Sequence, residues 1–158
     1  MFRLGKLTDY GTVVMTALAD EPARVHSAQE LAAATRVPPP TVSKLLKRLA
    51  KSGLIEALRG VRGGYRLARA PDSITVADMV RALEGPIALT QCADHAGGCS
   101  IESSCATSAN WQLINTAIRE ALEAVTLAQM SAHARTQRAK SHTQPLVFHP
   151  TFSGHTDS

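Results

Sequence analysis

Apolar residues recur at helical spacing in three successive segments of the first half of the chain. Residues 9–18 place them three and four positions apart, which predicts a first helix. A Ser-x-x-Glu capping-box pattern beginning at Ser27 predicts a second helix over residues 28–35. Consecutive prolines suit the first turn of a third helix, predicted over residues 39–52. Its buried face is predicted to consist of Val42, Leu45, Leu46 and Leu49.

Two short strand-like runs follow, over residues 54–58 and 64–68, and the turn between them contains glycine and arginine. Glycine allows the positive φ angles of a tight hairpin. A Thr-x-x-Asp pattern beginning at Thr75 then predicts a fourth helix over residues 76–84, ended by Gly85. Helix, turn, helix and hairpin in this order predict a winged helix-turn-helix domain.

One helical pattern over residues 108–130 dominates the second half of the chain. Its apolar positions recur at alternating steps of three and four: Trp111, Ile114, Ile118, Ala121, Val125 and Ala128. Such a seam requires a partner helix. Packing on the chain's own winged domain is one solution, but helix-turn-helix repressors commonly read two-fold operators as dimers. We therefore expect this helix to form a homodimer interface.

The predicted fold class is mainly α: a winged helix-turn-helix domain with a small β-hairpin wing, a cysteine-bearing loop and a long C-terminal dimerisation helix. The tail that follows has few apolar positions and irregularly spaced histidines, so it is predicted to be disordered. The predicted boundaries are 2–84 for the winged domain (helix-turn-helix 27–52, wing 54–69), 85–107 for the loop, 108–130 for the dimerisation helix and 131–158 for the tail.

Basic residues are concentrated in the third helix and the hairpin. Residues 36–70 contain nine Lys and Arg against one Glu, a net charge of +8, whereas the whole chain carries only +4. A patch of this kind indicates nucleic-acid binding. The alternative is the solvated face of a protein-interaction module, but the near absence of compensating acids favours double-stranded DNA as the partner.

The side chains predicted to contact DNA are Thr41, Ser43, Lys44, Lys47, Arg48, Lys51, Arg59 and Arg62. The first three lie near the N-terminus of the third helix, where they are expected to meet base edges in the major groove. The next three are expected to neutralise phosphates. The two hairpin arginines suit a narrow minor groove, because its negative potential attracts them.

The three cysteines of the chain, Cys92, Cys99 and Cys105, lie within fourteen residues of one another in a glycine-interrupted loop. Clustered thiols in a reduced compartment argue for a soft-metal or iron-sulfur site. Their spacing lacks the paired CxxC of most structural zinc sites and better suits a cluster completed by another residue. The alternatives are buried unliganded thiols, redox-sensing thiols, and a three-Cys zinc site completed by His95.

Composition narrows the class of protein further. With 158 residues the chain amounts to about one domain, and no apolar run is long enough to span a bilayer. No secretory signal is visible, so we expect a cytoplasmic protein. The sequence also lacks a HExxH-type motif, a phosphate-binding glycine loop and a convincing pair of nucleophile and base, so we expect neither catalysis nor a small-molecule substrate.

Five features occur together in this chain: LTDYG near the N-terminus, LLKRLAKSGLI at the end of the third helix, RGVRGGYRLAR in the hairpin, ITVADMVRALEGP around the fourth helix, and three loop cysteines ahead of a long helix. This combination resembles the IscR/NsrR-type iron-sulfur transcription regulators over roughly residues 2–131. The segments LTDYGTVVM and CATSANWQLINTAI look most like the branch associated with regulation of the SUF iron-sulfur assembly operon.

The resemblance implies that the three cysteines ligate a 2Fe-2S or 4Fe-4S cluster. One branch of the family has a histidine three residues after the third cysteine, where this chain has Ser108. In the nitric-oxide-sensing branch, an acidic residue near the N-terminus of the partner subunit completes the site, and Asp9 occupies the matching position. Asp9 is therefore the predicted fourth ligand, with His95 and Glu102 as alternatives.

The function that the resemblance implies is that of a homodimeric transcriptional repressor sensing iron-sulfur or redox status, with the SUF genes as targets. A nitric oxide or general redox sensor of other genes is one alternative. A protein-interaction module that carries a cluster is another, and the absence of sequence-specific operator binding would identify it.

Overall fold

The computed structural model describes residues 4–90 and 105–142. In chain order these residues form α1 (Lys6–Asp20), α2 (Ala28–Thr35), α3 (Pro39–Lys51), β1 (Ile55–Leu58), β2 (Gly64–Leu67), a short 3-10 helix (Pro71–Ser73), α4 (Val76–Glu84), α5 (Ser108–Glu123) and α6 (Leu127–His142). The predicted winged-helix fold of mainly α class is confirmed. No helix among the described residues is both long and apolar enough to cross a membrane.

The core lies where α1, α3 and α4 meet. The apolar face predicted for α3 is fully buried: Val42, Leu45, Leu46 and Leu49 are all 0% exposed. From α1, the side chains of Val14, Met15 and Leu18 enter the same cluster. Burying aliphatic side chains of this size contributes roughly 1.5 to 3 kcal/mol each, so this cluster is the main source of stability for the winged domain.

The helix-turn-helix begins and ends as its sequence predicts. The Ser27 side chain accepts a hydrogen bond from the Glu30 backbone at 3.1 Å, and the Glu30 carboxylate accepts one from the Ser27 backbone at 2.7 Å. The last residue before the turn, Arg36, adopts a left-handed conformation with φ of 58°. After α3, Gly53 takes φ of 75° and the buried Leu54 bonds back to the Leu49 carbonyl.

The wing is an antiparallel hairpin in which Ile55 pairs with Leu67 and Leu58 pairs with Gly64. A third short segment extends this sheet, because His26 and Tyr65 exchange two backbone hydrogen bonds of 2.8 Å. A Cβ atom at Gly64 would lie 2.5 Å from the His26 carbonyl oxygen. Only glycine permits this approach, so the GGY motif joins the wing to the segment that precedes α2.

Helix α1 is longer than the predicted span of residues 9–18. Its extra N-terminal turn is held by Glu84 at the end of α4, whose Oε1 accepts hydrogen bonds from the Gly5 backbone N–H at 3.1 Å and from the Thr8 hydroxyl at 2.6 Å. Such a long-range contact leaves no periodic signal in the local sequence.

The single helix predicted over residues 108–130 is wrong, because the chain breaks it between Glu123 and Leu127. Thr126 starts a new helix with a capping box: its backbone N–H donates to Gln129 Oε1 at 2.9 Å, and its hydroxyl accepts from the Gln129 N–H at 3.3 Å. The break is also paired to the segment before α4, since Leu127 donates to the Ile74 carbonyl at 2.8 Å.

Part of the predicted disordered tail is helical. Residues 131–142 belong to α6, which packs along α1, and residues 143–158 lie outside the described part of the chain. The Asp20 carboxylate at the end of α1 anchors α6. It accepts from the Ser131 hydroxyl at 2.9 Å, from Arg135 at 3.3 Å and from Arg138 at 3.0 Å. A sequence window centred on the polar tail does not contain Asp20, so the prediction missed this anchor.

Replacing Asp20 with Ala should loosen the C-terminal half of α6. Three hydrogen bonds to one carboxylate would be lost, and we expect trypsin to cleave after Arg135 and Arg138 several-fold faster. The free energy of unfolding should fall by about 1 kcal/mol, because the carboxylate is partly exposed to solvent. Glu21→Ala is the control, since the Glu21 carboxylate pairs only with Arg24 among the described residues. Equal cleavage of the two variants would contradict the anchoring role.

Candidate functional site

The predicted DNA-reading face of α3 is presented to solvent. Ser43, Lys44, Lys47 and Lys51 are exposed, and Thr41 is half-buried at the first turn. The opposite face packs in the core, so the helix cannot rotate to bury these side chains. Among the described residues, the three lysines have no ion-pair or hydrogen-bond partner.

Arg48 is exposed as predicted, but its guanidinium is also used within the domain. Its Nη1 donates a hydrogen bond of 2.6 Å to the Leu83 backbone carbonyl near the end of α4. The role predicted for Arg48 is mainly phosphate contact. A guanidinium has five N–H donors, so this bond leaves others available for a phosphate.

The charge of the wing is concentrated at its turn. Arg59 and Arg62 are exposed and have no partner among the described residues, whereas the neighbouring Arg66 forms an ion pair of 2.9 Å with Glu56 across the hairpin. Arg69 pairs with Asp78 at 3.3 Å. The lysines of α3 and the two arginines of the hairpin turn therefore have no ion pair with the described residues. Together these two elements can neutralise a run of phosphates while α3 presents polar side chains to bases.

Cys105 is the one cysteine of the predicted ligand set within the described residues. It is partly exposed and lies just before α5, with its Sγ 3.3 Å from the Thr107 hydroxyl oxygen. The hydrogen bond from the Thr107 side chain, followed by backbone N–H bonds from Thr107 and Ser108, lowers the pKa of the Cys105 thiol below its usual value. A lowered pKa favours the thiolate, which is the form that binds a metal.

The predicted ligands Cys92 and Cys99 lie outside the described residues, as do the alternatives His95 and Glu102. Ser108, which stands where one branch of the family has a histidine, is the first residue of α5. Within the described ranges, no group of three His, Cys, Asp or Glu side chains lies close enough together to hold a metal ion.

The segment that leads from α4 towards the cysteines is held by Asn115. This buried residue of α5 donates to the Ile87 carbonyl at 3.0 Å, and its side-chain oxygen accepts from the Leu89 backbone at 3.2 Å. Asn115 is not among the site residues predicted from the sequence. A signal was present, because an asparagine in the middle of an apolar helical pattern disfavours the helix and needs a reason to be there.

Asp9 is exposed in the first turn of α1. Its carboxylate has no hydrogen bond or ion pair with the residues that the structure describes. A negative side chain there is stabilised by the helix dipole, so Asp9 does not by itself require a ligand. Its place is nevertheless well defined, because Glu84 fixes the turn that carries it.

Comparison with known proteins shows to which family a chain with this arrangement belongs. Residues 4–133 match the Rrf2 family, which is described as an iron-dependent transcriptional regulator. The chain belongs to the Rrf2 family. The match spans the winged domain, the cysteine segment (residues 85–107) and α5. The predicted class of DNA-binding transcriptional regulator is therefore confirmed. Members of the Rrf2 family are regulators and not enzymes.

Individual relatives match most of this Rrf2 chain in sequence or in fold. The IscR regulator of Erwinia tasmaniensis is 28% identical over 79% of this chain and 78% of its own. The structure of CymR, the global cysteine regulator of B. subtilis, superposes with a TM-score of 0.66 at 28% identity and covers 84% of this chain and 98% of its own. The structure of T. potens IscR gives a TM-score of 0.62 at 28% identity, covering 91% and 93% respectively.

Two lysines of α3, the predicted recognition helix of this Rrf2 protein, should respond differently to substitution. Lys47→Ala should weaken binding to operator and random DNA equally and lower the salt-dependence slope by about one unit, because one phosphate contact is lost. Lys44→Ala should weaken operator binding alone, by roughly 1 to 3 kcal/mol. Fluorescence anisotropy titrations at several salt concentrations measure both effects. If both variants lose affinity for both DNAs equally, Lys44 does not read bases.

Proposed function

We propose that this Rrf2 protein is a homodimeric transcriptional repressor that senses iron-sulfur or redox status through a bound iron-sulfur cluster. Its targets are iron-sulfur assembly genes of the SUF type, and it acts in the cytoplasm. The observation that carries the proposal is Cys105. Hydrogen bonds from the residues that follow it lower the pKa of this thiol, which lies three residues before α5. The other two cysteines, Cys92 and Cys99, precede it by thirteen and six residues.

The donor set suits an iron-sulfur cluster better than a structural zinc ion. Cys92, Cys99 and Cys105 supply three thiolates, and their wide spacing lacks the paired CxxC of most zinc sites. Asp9, exposed and unpaired among the described residues, supplies a carboxylate from a second subunit. A carboxylate is a harder and more exchangeable ligand than a thiolate. A cluster held in this way can exchange iron or electrons with its surroundings, as a sensor requires.

The exposed apolar face of α5 supports the homodimer. Leu113 is 71% exposed, Ile114 44% and Trp111 40%, while Asn115 is the one buried residue of this helix. A largely apolar groove of about 610 Å³ lies between α1 and α6 and includes Val13 and Met130. An apolar helix face and an apolar groove on one chain are complementary between two copies. Two-fold pairing would also present two α3 helices to the two half-sites of an operator.

Anaerobically isolated protein should be brown and should contain iron and acid-labile sulfide. Cys92→Ala, Cys99→Ala and Cys105→Ala should each remove the visible absorption and leave the dimer folded, because the thiols belong to the cluster site and not to the core. Asp72→Ala is the control, since it removes an exposed side chain of the 3-10 helix and keeps all three thiols. Visible spectroscopy and analysis of iron and sulfide measure the cluster, and size-exclusion chromatography measures the dimer. Colourless wild-type protein after reconstitution, or protein with stoichiometric zinc alone, would sink the cluster proposal.

Asp9→Ala should keep the fold and all three thiols but give a cluster with an altered spectrum or faster loss. Its operator affinity should shift towards that of the cluster-free protein. Asp72→Ala, which removes an exposed carboxylate from the 3-10 helix, is the control. If Asp9→Ala has wild-type spectrum, cluster lifetime and DNA affinity, the fourth ligand lies elsewhere, and His95→Ala and Glu102→Ala are the next variants to compare.

The same DNA titrations distinguish the alternative functions. A nitric oxide sensor would release its operator after exposure of the cluster to nitric oxide, while iron limitation would have little effect. A cluster-carrying interaction module would show no sequence-specific retardation of its own promoter DNA.

A further inference from the structure

The C-terminal end of α4 contacts two other helices within two residues. Glu84 accepts hydrogen bonds from the Gly5 backbone and the Thr8 hydroxyl at the start of α1. The preceding residue, Leu83, accepts the 2.6 Å hydrogen bond from the Arg48 guanidinium of α3. Thr8 is only 3% exposed. Each of these hydrogen bonds involves a charged group, the Glu84 carboxylate or the Arg48 guanidinium, and is therefore stronger than a bond between neutral groups.

The same three helices, α1, α3 and α4, are also closely packed against one another in the core. A Cβ atom at Gly11 of α1 would lie 2.2 Å from Leu83 Cδ1 and 3.3 Å from Leu45 Cδ2 of α3. The backbone of α1 therefore rests directly on both neighbours. Packed interiors transmit displacement and do not absorb it, so α1 cannot move along α4 without disturbing α3.

Both predicted parts of the ligand set lead to this point. Asp9 lies one residue after Thr8 in the first turn of α1, and the segment carrying the cysteines begins directly after Glu84. Just after Glu84, the first residues of that segment are hydrogen-bonded to the Asn115 side chain of α5. Any change in cluster occupancy would therefore act on α4 at its last residues.

We propose that Glu84 and Arg48 are positioning residues that couple the cysteine segment to the recognition helix through the C-terminal end of α4. This inference rests on the proposed function for the identity of the signal, although the contacts exist without it. Glu84 holds α1 and thereby Asp9. Arg48 sets the orientation of α3 against Leu83. Coupling between sites requires a contiguous set of packed and hydrogen-bonded groups, and these residues supply one.

The simpler interpretation is that Arg48 only neutralises a phosphate, as Lys47 does. The two residues are adjacent on α3 and both are exposed, but only Arg48 is bonded to α4. Lys47→Ala is therefore a matched control for Arg48→Ala. Glu84→Gln is the conservative counterpart of Glu84→Ala, because it keeps an acceptor oxygen for Gly5 and Thr8 and removes only the charge.

The first experiment uses the cluster-free full chain and so does not depend on iron-sulfur binding. Operator Kd values are measured for Glu84→Ala, Arg48→Ala, Lys47→Ala and the two double variants that contain Glu84→Ala. We expect Glu84→Ala to weaken binding about threefold or more, and its effect to be largely absent once Arg48 is Ala. With Lys47→Ala the fold-changes should multiply. Glu84→Gln should restore most of the affinity.

Thermal unfolding accompanies each variant. If Glu84→Ala does not fold, Thr8→Val takes its place, since it removes one donor to Glu84 while preserving the size of a buried side chain. If Glu84→Ala changes the operator Kd by the same factor in the Arg48→Ala and Lys47→Ala backgrounds, the proposal is overturned.

The second experiment compares operator Kd values for cluster-loaded and cluster-free protein. The ratio of the two should move towards one in Glu84→Ala and Arg48→Ala and stay at the wild-type value in Lys47→Ala. An unchanged ratio in all three variants would also overturn the coupling. If wild-type protein binds no cluster but the cluster-free fold-changes are non-multiplicative, the link through α4 stands and the proposed iron-sulfur sensing is wrong.

Discussion

The close packing of α1 is the constraint on which the rest of the structure depends. This helix contacts α2, α3, α4 and α6, and Val14, Met15 and Leu18 are completely buried between them. Because α1 contacts four of the five other α-helices among the described residues, its position determines how α3, the helix predicted to read DNA, sits relative to α4. Glycine at position 11 brings the helix axes close enough for this to happen.

The electrostatic arrangement separates two uses of arginine. Arg66, Arg69 and Arg81 are paired with acidic side chains, which hold the hairpin and α4 in place. Arg59 and Arg62 lack such partners among the described residues, and their charge is available to a polyanion. Exposed ion pairs are worth about 0 to 1 kcal/mol each, so their contribution to stability is small. Their larger effect is to neutralise Arg66 and Arg69, so that the unpaired charge of the hairpin lies at its turn.

The sequence predicted the winged domain well because its signals are local. Capping boxes at Ser27 and Thr75 were correctly assigned, and so was the apolar face of α3. The errors arose where distant residues decide the structure. The Asp20 carboxylate determines that the polar segment after residue 130 is helical, and the strand-like pairing of Leu127 with Ile74 determines where the long helix breaks. A single window contains neither partner.

The candidate site shows the same division. Side chains on one face of α3 could be chosen from periodicity, because a helix with one buried face must expose the other. The bond from Arg48 to Leu83 and the hold of Asn115 on the cysteine segment could not, since both join residues that lie more than twenty positions apart. The Thr126 capping box is a local signal that was overlooked, as Asn115 was, because the apolar seam appeared to run through both.

The break between α5 and α6 changes the topology of the chain. Leu127 belongs to the same core cluster as Leu18 and Leu45, so the winged domain is completed only by residues that follow the cysteines and α5. The described residues between α4 and α6 thus interrupt one folding unit in the sequence and do not link it to a second one. The contacts that complete this unit join residues as far apart as Asp20 and Arg138. Contacts of such sequence separation form slowly, because the chain must lose the entropy of the intervening loop before the contact is gained. During synthesis, the residues that carry the cysteines must therefore leave the ribosome before the winged domain can close.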